Sequence, residues 1–406
     1  MKTYSSSKHR AHGLRRPFSF LIAFGLLLAP ALGLSAQEQL RPAEIDRVSC
    51  TSATLAEALD SFYWATLVRK GKTLLGIDPV AGHVVQIDLS SRGAELAQRR
   101  QIDDSEPIQD FSSWTQAVSK RDIDESRPFL AFTDSGNELV QVFGDGTNLR
   151  VLWYDQDLNL RNELLYGDKA VRDPSSPRLI APYRWVTTQG HMAGYGMVSS
   201  SNSQGFELGF FSQPLPRGGT ASIPPVRLFE PMGNPSFYAV GNPMVVARGS
   251  EIYYLVMDGY ASLNRYDLAT QLEPTKIPGL PGENTPLNDP EFHNIRLEER
   301  DLLQDHLEAH EGPWGLYEQD GSIFLLSRSL SGESVAWVLQ ELIMDDYGGI
   351  DTEATAARAT RLQTRAQQIV LVPSEKPGEW FVLEQDANRK FTTIQTCTNL
   401  TASDSR

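Results

Sequence analysis

From residue 62 to residue 396 the chain is a succession of short apolar runs, each closed by turn-forming residues, without sustained helical periodicity. Residues 129–167 show the plan most clearly. Runs at 129–133, 138–143, 149–154 and 158–166 are closed in turn by Asp134-Ser135-Gly136, Gly144-Asp145-Gly146, Asp155-Gln156-Asp157 and Gly167. Short apolar runs bounded by such clusters predict four strands in a meander. The same plan recurs over 62–102, 183–229, 243–277 and 314–364, the last with a poorly defined fourth element. Residues 369–397 supply only three strands. Third strands are expected to begin near 83, 149, 205, 261, 334 and 389, a degenerate repeat with insertions. Periods of this size point to propellers or solenoids.

The layout resembles the β-propeller superfamily. Segments such as 76–88 (Gly-Ile-Asp-Pro-Val-Ala-Gly-His-Val-Val-Gln-Ile-Asp) and 263–268 (Leu-Asn-Arg-Tyr-Asp-Leu) are similar to those of six-bladed propellers generally. No diagnostic blade signature is present, so the resemblance is architectural. It implies an all-β propeller of six four-stranded blades, with seven as the alternative count, occupying residues 37–400 as one domain before a disordered tail at 401–406. It also implies that the three-stranded last unit is completed from the N-terminus. Residues 43–49, within a segment 41–50, would then lie beside 391–396.

The N-terminus reads as a cleavable signal peptide over residues 1–36. Lys2, Lys8, Arg10, Arg15 and Arg16 precede an apolar stretch from Phe18, which Pro30 breaks. Small residues then allow cleavage after Gly33 or Ala36. Arg15-Arg16 touches the twin-arginine pattern, but its flanks fit poorly. The expected product is exported, periplasmic or extracellular, and free of the membrane after cleavage. An exported chain with two cysteines, Cys50 and Cys397, suggests a disulfide, two free thiols being the alternative. The propeller layout would bring the two together at the ring's joint.

The formal charge of the 406-residue chain is −14, and removal of the five basic signal residues takes it to −19. Such a surface repels phosphate backbones and anionic lipid, so nucleic acid and membrane are excluded as partners. A monomer holding a protein or glycan partner is expected.

Candidate chemistry concentrates on one face. In a four-strand meander, the link from the outer strand to the next inner strand emerges on the side of the turn between strands two and three. The long insertions 103–128, 168–182, 230–242 and 278–313 are all such links. The second-to-third turns carry Asp78, Asp145 and Asp258, whose oxygens could hold Ca²⁺ at a channel mouth. The plainer reading is that Asp-Pro and Asp-Gly are turn formers. Insertion 278–313 contains a helix-compatible stretch in which His306 and His310, at i and i+4, share a face and could chelate Zn²⁺. A solvated acidic helix is the plainer alternative. Gly332-Glu333-Ser334-Val335-Ala336 lacks the final glycine of a nucleophile elbow, and the calcium-loop-like run from Asp155 has Leu160 where glycine is needed. The tryptophans are expected in the core. The leading expectation is therefore a non-enzymatic binding or scaffold module. The alternative is a Ca- or Zn-dependent hydrolase acting on lactones or esters.

Overall fold

The computed structural model describes residues 48–60, 68–70, 73–78, 83–88, 95–101, 130–132, 139–144, 149–155, 160–166, 178–199, 206–215, 226–231, 244–258, 260–284, 311–331, 334–388, 390–398 and 400. The expected signal peptide and the tail 401–406 lie outside them.

The described strands form six four-stranded antiparallel sheets. An N-terminal strand, β1 (Ser49–Asp60), comes first. The first sheet orders β2 (Val68–Lys70), β3 (Thr73–Asp78), β4 (His83–Asp88) and β5 (Glu95–Gln101). The second has β6 (Leu130–Phe132), β7 (Leu139–Gly144), β8 (Leu149–Tyr154) and β9 (Leu160–Tyr166). The third comprises β10 (Arg178–Thr188), β11 (His191–Ser199), β12 (Phe206–Pro214) and β13 (Arg227–Pro231). In the fourth lie β14 (Val245–Arg248), β15 (Glu251–Asp258), β16 (Tyr260–Asp267) and β17 (Thr275–Ile277). The fifth holds β18 (Gly312–Gln319), β19 (Ser322–Ser331), β20 (Ser334–Glu341) and β21 (Ala359–Arg361). In the sixth, β22 (Ile369–Pro373), β23 (Trp380–Gln385) and β24 (Lys390–Thr398) are joined at the outer edge by β1. The third strands start at His83, Leu149, Phe206, Tyr260, Ser334 and Lys390, each within a residue of the position read from the sequence.

Each sheet's first strand lies against the first strand of the next. β2 meets β6, β6 meets β10, and so on through β14, β18 and β22, which returns to β2. This circuit of local meanders is a propeller fold. Tight hairpins suit it: Gln189-Gly190 and Asp320-Gly321 both hold positive φ, at 49° and 70° and at 51° and 80°. Paired positive φ matches the twist of the flanking strands.

Aromatic side chains fill the space between sheets. Phe210 of β12 stacks on Tyr254 of β15 at 3.9 Å, and Tyr195 of β11 meets both edge-on. Such pairs add about 0.5–1.5 kcal/mol each beyond their buried area. The Tyr195 hydroxyl donates to the Leu255 carbonyl across the same seam, and burial pushes its pKa well above the usual tyrosine value. Between the fifth and sixth sheets, Arg328 is only 2% exposed, stacked over Trp314 and Trp337, and donates to Gln367 Oε1 at 2.8 Å. Trp153, Trp185, Trp314, Trp337 and Trp380 are all buried, as core tryptophans should be. Trp64 and Trp114 lie outside the described residues.

Two features depart from the sequence reading. The completing strand expected at 43–49 runs instead over Ser49–Asp60, so Cys50 lies at its start rather than beyond its end. Past Cys50 the segment Thr51–Thr54 stays extended and pairs with β24 before its register shifts. Between β20 and β21 stands a short helix, α1 (Thr352–Ala357), where the sequence showed only a poorly defined element. Asp351 caps it, accepting from Ala354 N at 2.9 Å. The turn Asp345–Gly349 before it is closed by the Asp345 carboxylate, which accepts from Tyr347 N and Gly349 N at 2.8 Å. Gly279 is pressed against this loop with φ at +88°, and a Cβ there would stand 2.8 Å from the Ile350 carbonyl oxygen.

Candidate functional site

The Cys50–Cys397 disulfide is formed, between residues directly opposite in the β1–β24 ladder with Cα atoms 4.1 Å apart. Cys397 is buried at 1% exposure, while Cys50 is half-buried.

Asp78 ends β3, opposite His83, and Asp258 ends β15, opposite Tyr260. Both therefore occupy the second-to-third turn of their meanders. They belong to the first and fourth sheets, which stand opposite one another in the circuit of first strands. Each is also one strand removed from that circuit. Asp145, His306 and His310 lie outside the described residues. Among the described residues, no group of three or more His, Cys, Asp or Glu side chains is placed to hold a metal ion. The elbow-like Ser334 opens strand β20, and Asp155 forms an ion pair with Arg161 beside the β8–β9 turn.

The first-to-second hairpins form a polar seam that no motif announced. Thr188, at the end of β10, donates to the Gly249 carbonyl of the next sheet's hairpin at 2.7 Å. Gln319, at the end of β18, does more. Its amide nitrogen lies 2.9 Å from the Ser374 carbonyl and 3.0 Å from those of Lys376 and Glu379, and its oxygen accepts from Gly378 N at 3.1 Å. These bonds set the hairpins of the third and fourth sheets, and of the fifth and sixth, side by side. The face bearing Asp258 is the other one.

Between those pairs lies a charged cluster. Glu251 accepts from Arg248 and from the Tyr253 hydroxyl, each at 2.8 Å, and from Arg265 at 3.2 Å. Burial, the largest single influence on Glu251, would raise its pKa. The hydrogen bonds from Arg248 and Tyr253, with the charges of Arg248 and Arg265, outweigh it and hold the carboxyl below its usual range. Tyr253 is pushed up to about 12, first by burial and then by its bond to Glu251. A tyrosine so raised stays protonated at neutral pH, and the cluster contains no histidine or thiol to pair with it. Its chemistry is that of a brace. The residue types would have identified these contacts only with the hairpin register in hand, because every partner lies across a turn or in another sheet.

No family model matches the chain, and a search of curated proteins finds no match. Among solved structures, a protein from Bacteroides fragilis put forward as exported is 10% identical, with 86% of this chain and 94% of that one covered and a TM-score of 0.40. A protein of unknown function from Bacteroides thetaiotaomicron is 11% identical over 86% of this chain and 76% of its own, with a TM-score of 0.43. The β-propeller domain of the trilobed protease from Pyrococcus furiosus is 10% identical over 82% and 79%, with a TM-score of 0.32.

Proposed function

We propose that the protein is an exported, non-enzymatic binding or scaffold propeller, a monomer that holds a protein or glycan partner on the face carrying its long links. The observation that supports this reading is the length of the links from outer to next inner strand, although the hairpin face also carries a long link, 342–358 with α1. First-to-second hairpins are as short as Gln189-Gly190 and Asp320-Gly321, whereas links of the opposite kind span 102–129, 232–244 and 278–311. Long loops on a rigid frame are where recognition residues accumulate. In this reading residues 1–36 are removed on export, and no helix among the described residues is long and apolar enough to cross a membrane.

The test replaces 285–310 by a short Gly-Ser link in the mature protein. Binding to immobilised glycans and envelope proteins should be lost, with the thermal midpoint kept. Turnover of a lactone or ester by the purified wild type would sink the proposal.

A second reading, a Ca- or Zn-dependent hydrolase, draws on the equivalent turn positions of Asp78 and Asp258, with Asp145 as the third carboxylate. His306 and His310 would form a separate peripheral metal site. Elemental analysis after dialysis distinguishes these. A retained divalent ion that Asp78→Asn, Asp258→Asn removes favours the hydrolase, and one that His306→Ala, His310→Ala removes favours the peripheral site. A metal-free protein, unchanged in stability on adding calcium or zinc, counts against both.

A further inference from the structure

We propose that the Cys50–Cys397 bond is a redox latch, whose reduction by a dithiol releases β1 from the edge of β24 while the circuit of first strands stays closed. The inference does not depend on which partner the protein binds.

Four observations carry it. The circuit β2, β6, β10, β14, β18, β22 contains no part of β1, which lies at the rim against β24 and against β5 of the first sheet. β1 is the outermost strand of its sheet and pairs with β24 alone. That ladder is interrupted, running from Ser49 to Thr54 and resuming only at Leu59 and Asp60. Finally, the described side chains of the strand, 49–55, bury little apolar surface. Among its described side chains only Leu55 is buried, while Ser49, Thr51, Ser52 and Thr54 are exposed. The side-chain bonds across the pair, Thr51 Oγ1 to the Thr396 carbonyl at 3.5 Å and Thr398 Oγ1 to the Ser49 carbonyl at 3.4 Å, are long. An edge strand whose ladder is broken and whose described side chains are mostly exposed leans on its one covalent clip.

The exposures of the two cysteines set the order of events. A thiolate of the dithiol attacks the more accessible Cys50 Sγ, and the Cys50–Cys397 bond breaks. Cys397 leaves as a thiolate and takes a proton, its sulfur standing 3.7 Å from the Gln395 Oε1 acceptor. The dithiol's second thiolate then attacks its own sulfur in the mixed disulfide, freeing Cys50 as a thiol and leaving the reductant as a cyclic disulfide. Two electrons and two protons pass to the protein. The freed β24 edge, Lys390–Thr398, is then open to pairing.

The experiment is hydrogen exchange by mass spectrometry on the mature chain, with and without dithiothreitol, intact mass reporting the two hydrogens gained. Exchange in peptides covering 49–60 and 390–398 should rise at least about tenfold, while β15 and β19 change less than about twofold. A Cys50→Ser, Cys397→Ser double variant, measured without reductant, should show the same pattern. Equal acceleration in every sheet, a double variant that does not fold, or unchanged exchange at 49–60 overturns the proposal.

Discussion

Replacing Gln319 by alanine tests whether the seam between the fifth and sixth sheets is held by polar contacts or by core packing alone. The side chain is 6% exposed and serves four backbone groups of the 374–379 hairpin at once. The four are not equal. The Lys376 and Glu379 carbonyls also accept from Glu379 N and Ser374 N within the hairpin, so they keep a partner when the amide is removed. Gly378 N, by contrast, gives its hydrogen to Gln319 Oε1. One buried donor losing its acceptor costs about 1–3 kcal/mol, and the remaining bonds contribute roughly 0.5–1.5 kcal/mol net. The expected loss is therefore about 2–4 kcal/mol. For a folded body of about 360 residues, with about 2.1 cal/mol/K per residue at the midpoint, 3 kcal/mol lowers the melting temperature by about 4 °C. Calorimetry reads the shift, and exchange at Gly378 should rise with it. Gln319→Glu should be worse than alanine, because it removes the donors and buries a charge among carbonyl oxygens. A loss below about 0.5 kcal/mol, with Gly378 still protected, would refute the reasoning.

Three other outcomes follow from the same structure. Gly279→Ala, at φ +88° and 2.8 Å from the Ile350 carbonyl oxygen, should cost about 1–3 kcal/mol by denaturant titration, whereas Gly190→Ala, with open space around it, should cost less. The Glu251 carboxyl titrates lower folded than unfolded, so its contribution is complete above the unfolded value near 4.3 and is lost as pH falls through the folded one. Glu251→Gln should flatten that acid limb in melting curves taken from pH 7 downward, modestly because the cluster is partly exposed. Cys50→Ser, Cys397→Ser opens a covalent loop spanning 347 residues. The chain-entropy figure of about 5–6 kcal/mol is a ceiling on the global loss, and separate detachment of β1 should make the calorimetric loss smaller.

The parts of this protein legible in its sequence are those encoded locally. Turn clusters such as Asp134-Ser135-Gly136 punctuate runs too short for helices, and the starts of the third strands follow within a residue. The disulfide was legible for a different reason: two cysteines in a chain read as exported suggested it, and a three-stranded last unit offered a place for the N-terminal strand that carries one of them. Its register was not. An extended, weakly apolar segment can slide along an edge, and the position of Cys50 opposite Cys397 fixes where it stops. The helix α1 escaped because six residues with one capping aspartate carry almost no periodic signal. The hairpin seam escaped because Gln319, Arg248 and Glu251 look like ordinary strand-end polar residues until the next sheet is in place. For the candidate carboxylates, spacing showed the turn type and nothing about convergence, and the backbone sets Asp78 and Asp258 in opposite sheets.

The pairing of β1 with β24 also bears on how the molecule is made. Every other described strand finds its partner within a meander of nearby residues, so those sheets can assemble in the order in which they are synthesised. β1 emerges first and must wait for the last strand, 347 residues on as the two cysteines count it. Pairing over such a separation comes late and slowly. Until then an extended segment and the exposed edge of whichever sheet is newest coexist, each able to capture a strand from another chain. The step that limits yield during refolding should therefore be this final docking. It should slow as β1 is lengthened from β2, and be relieved in a circular permutant that places Ser49–Asp60 directly after Thr398.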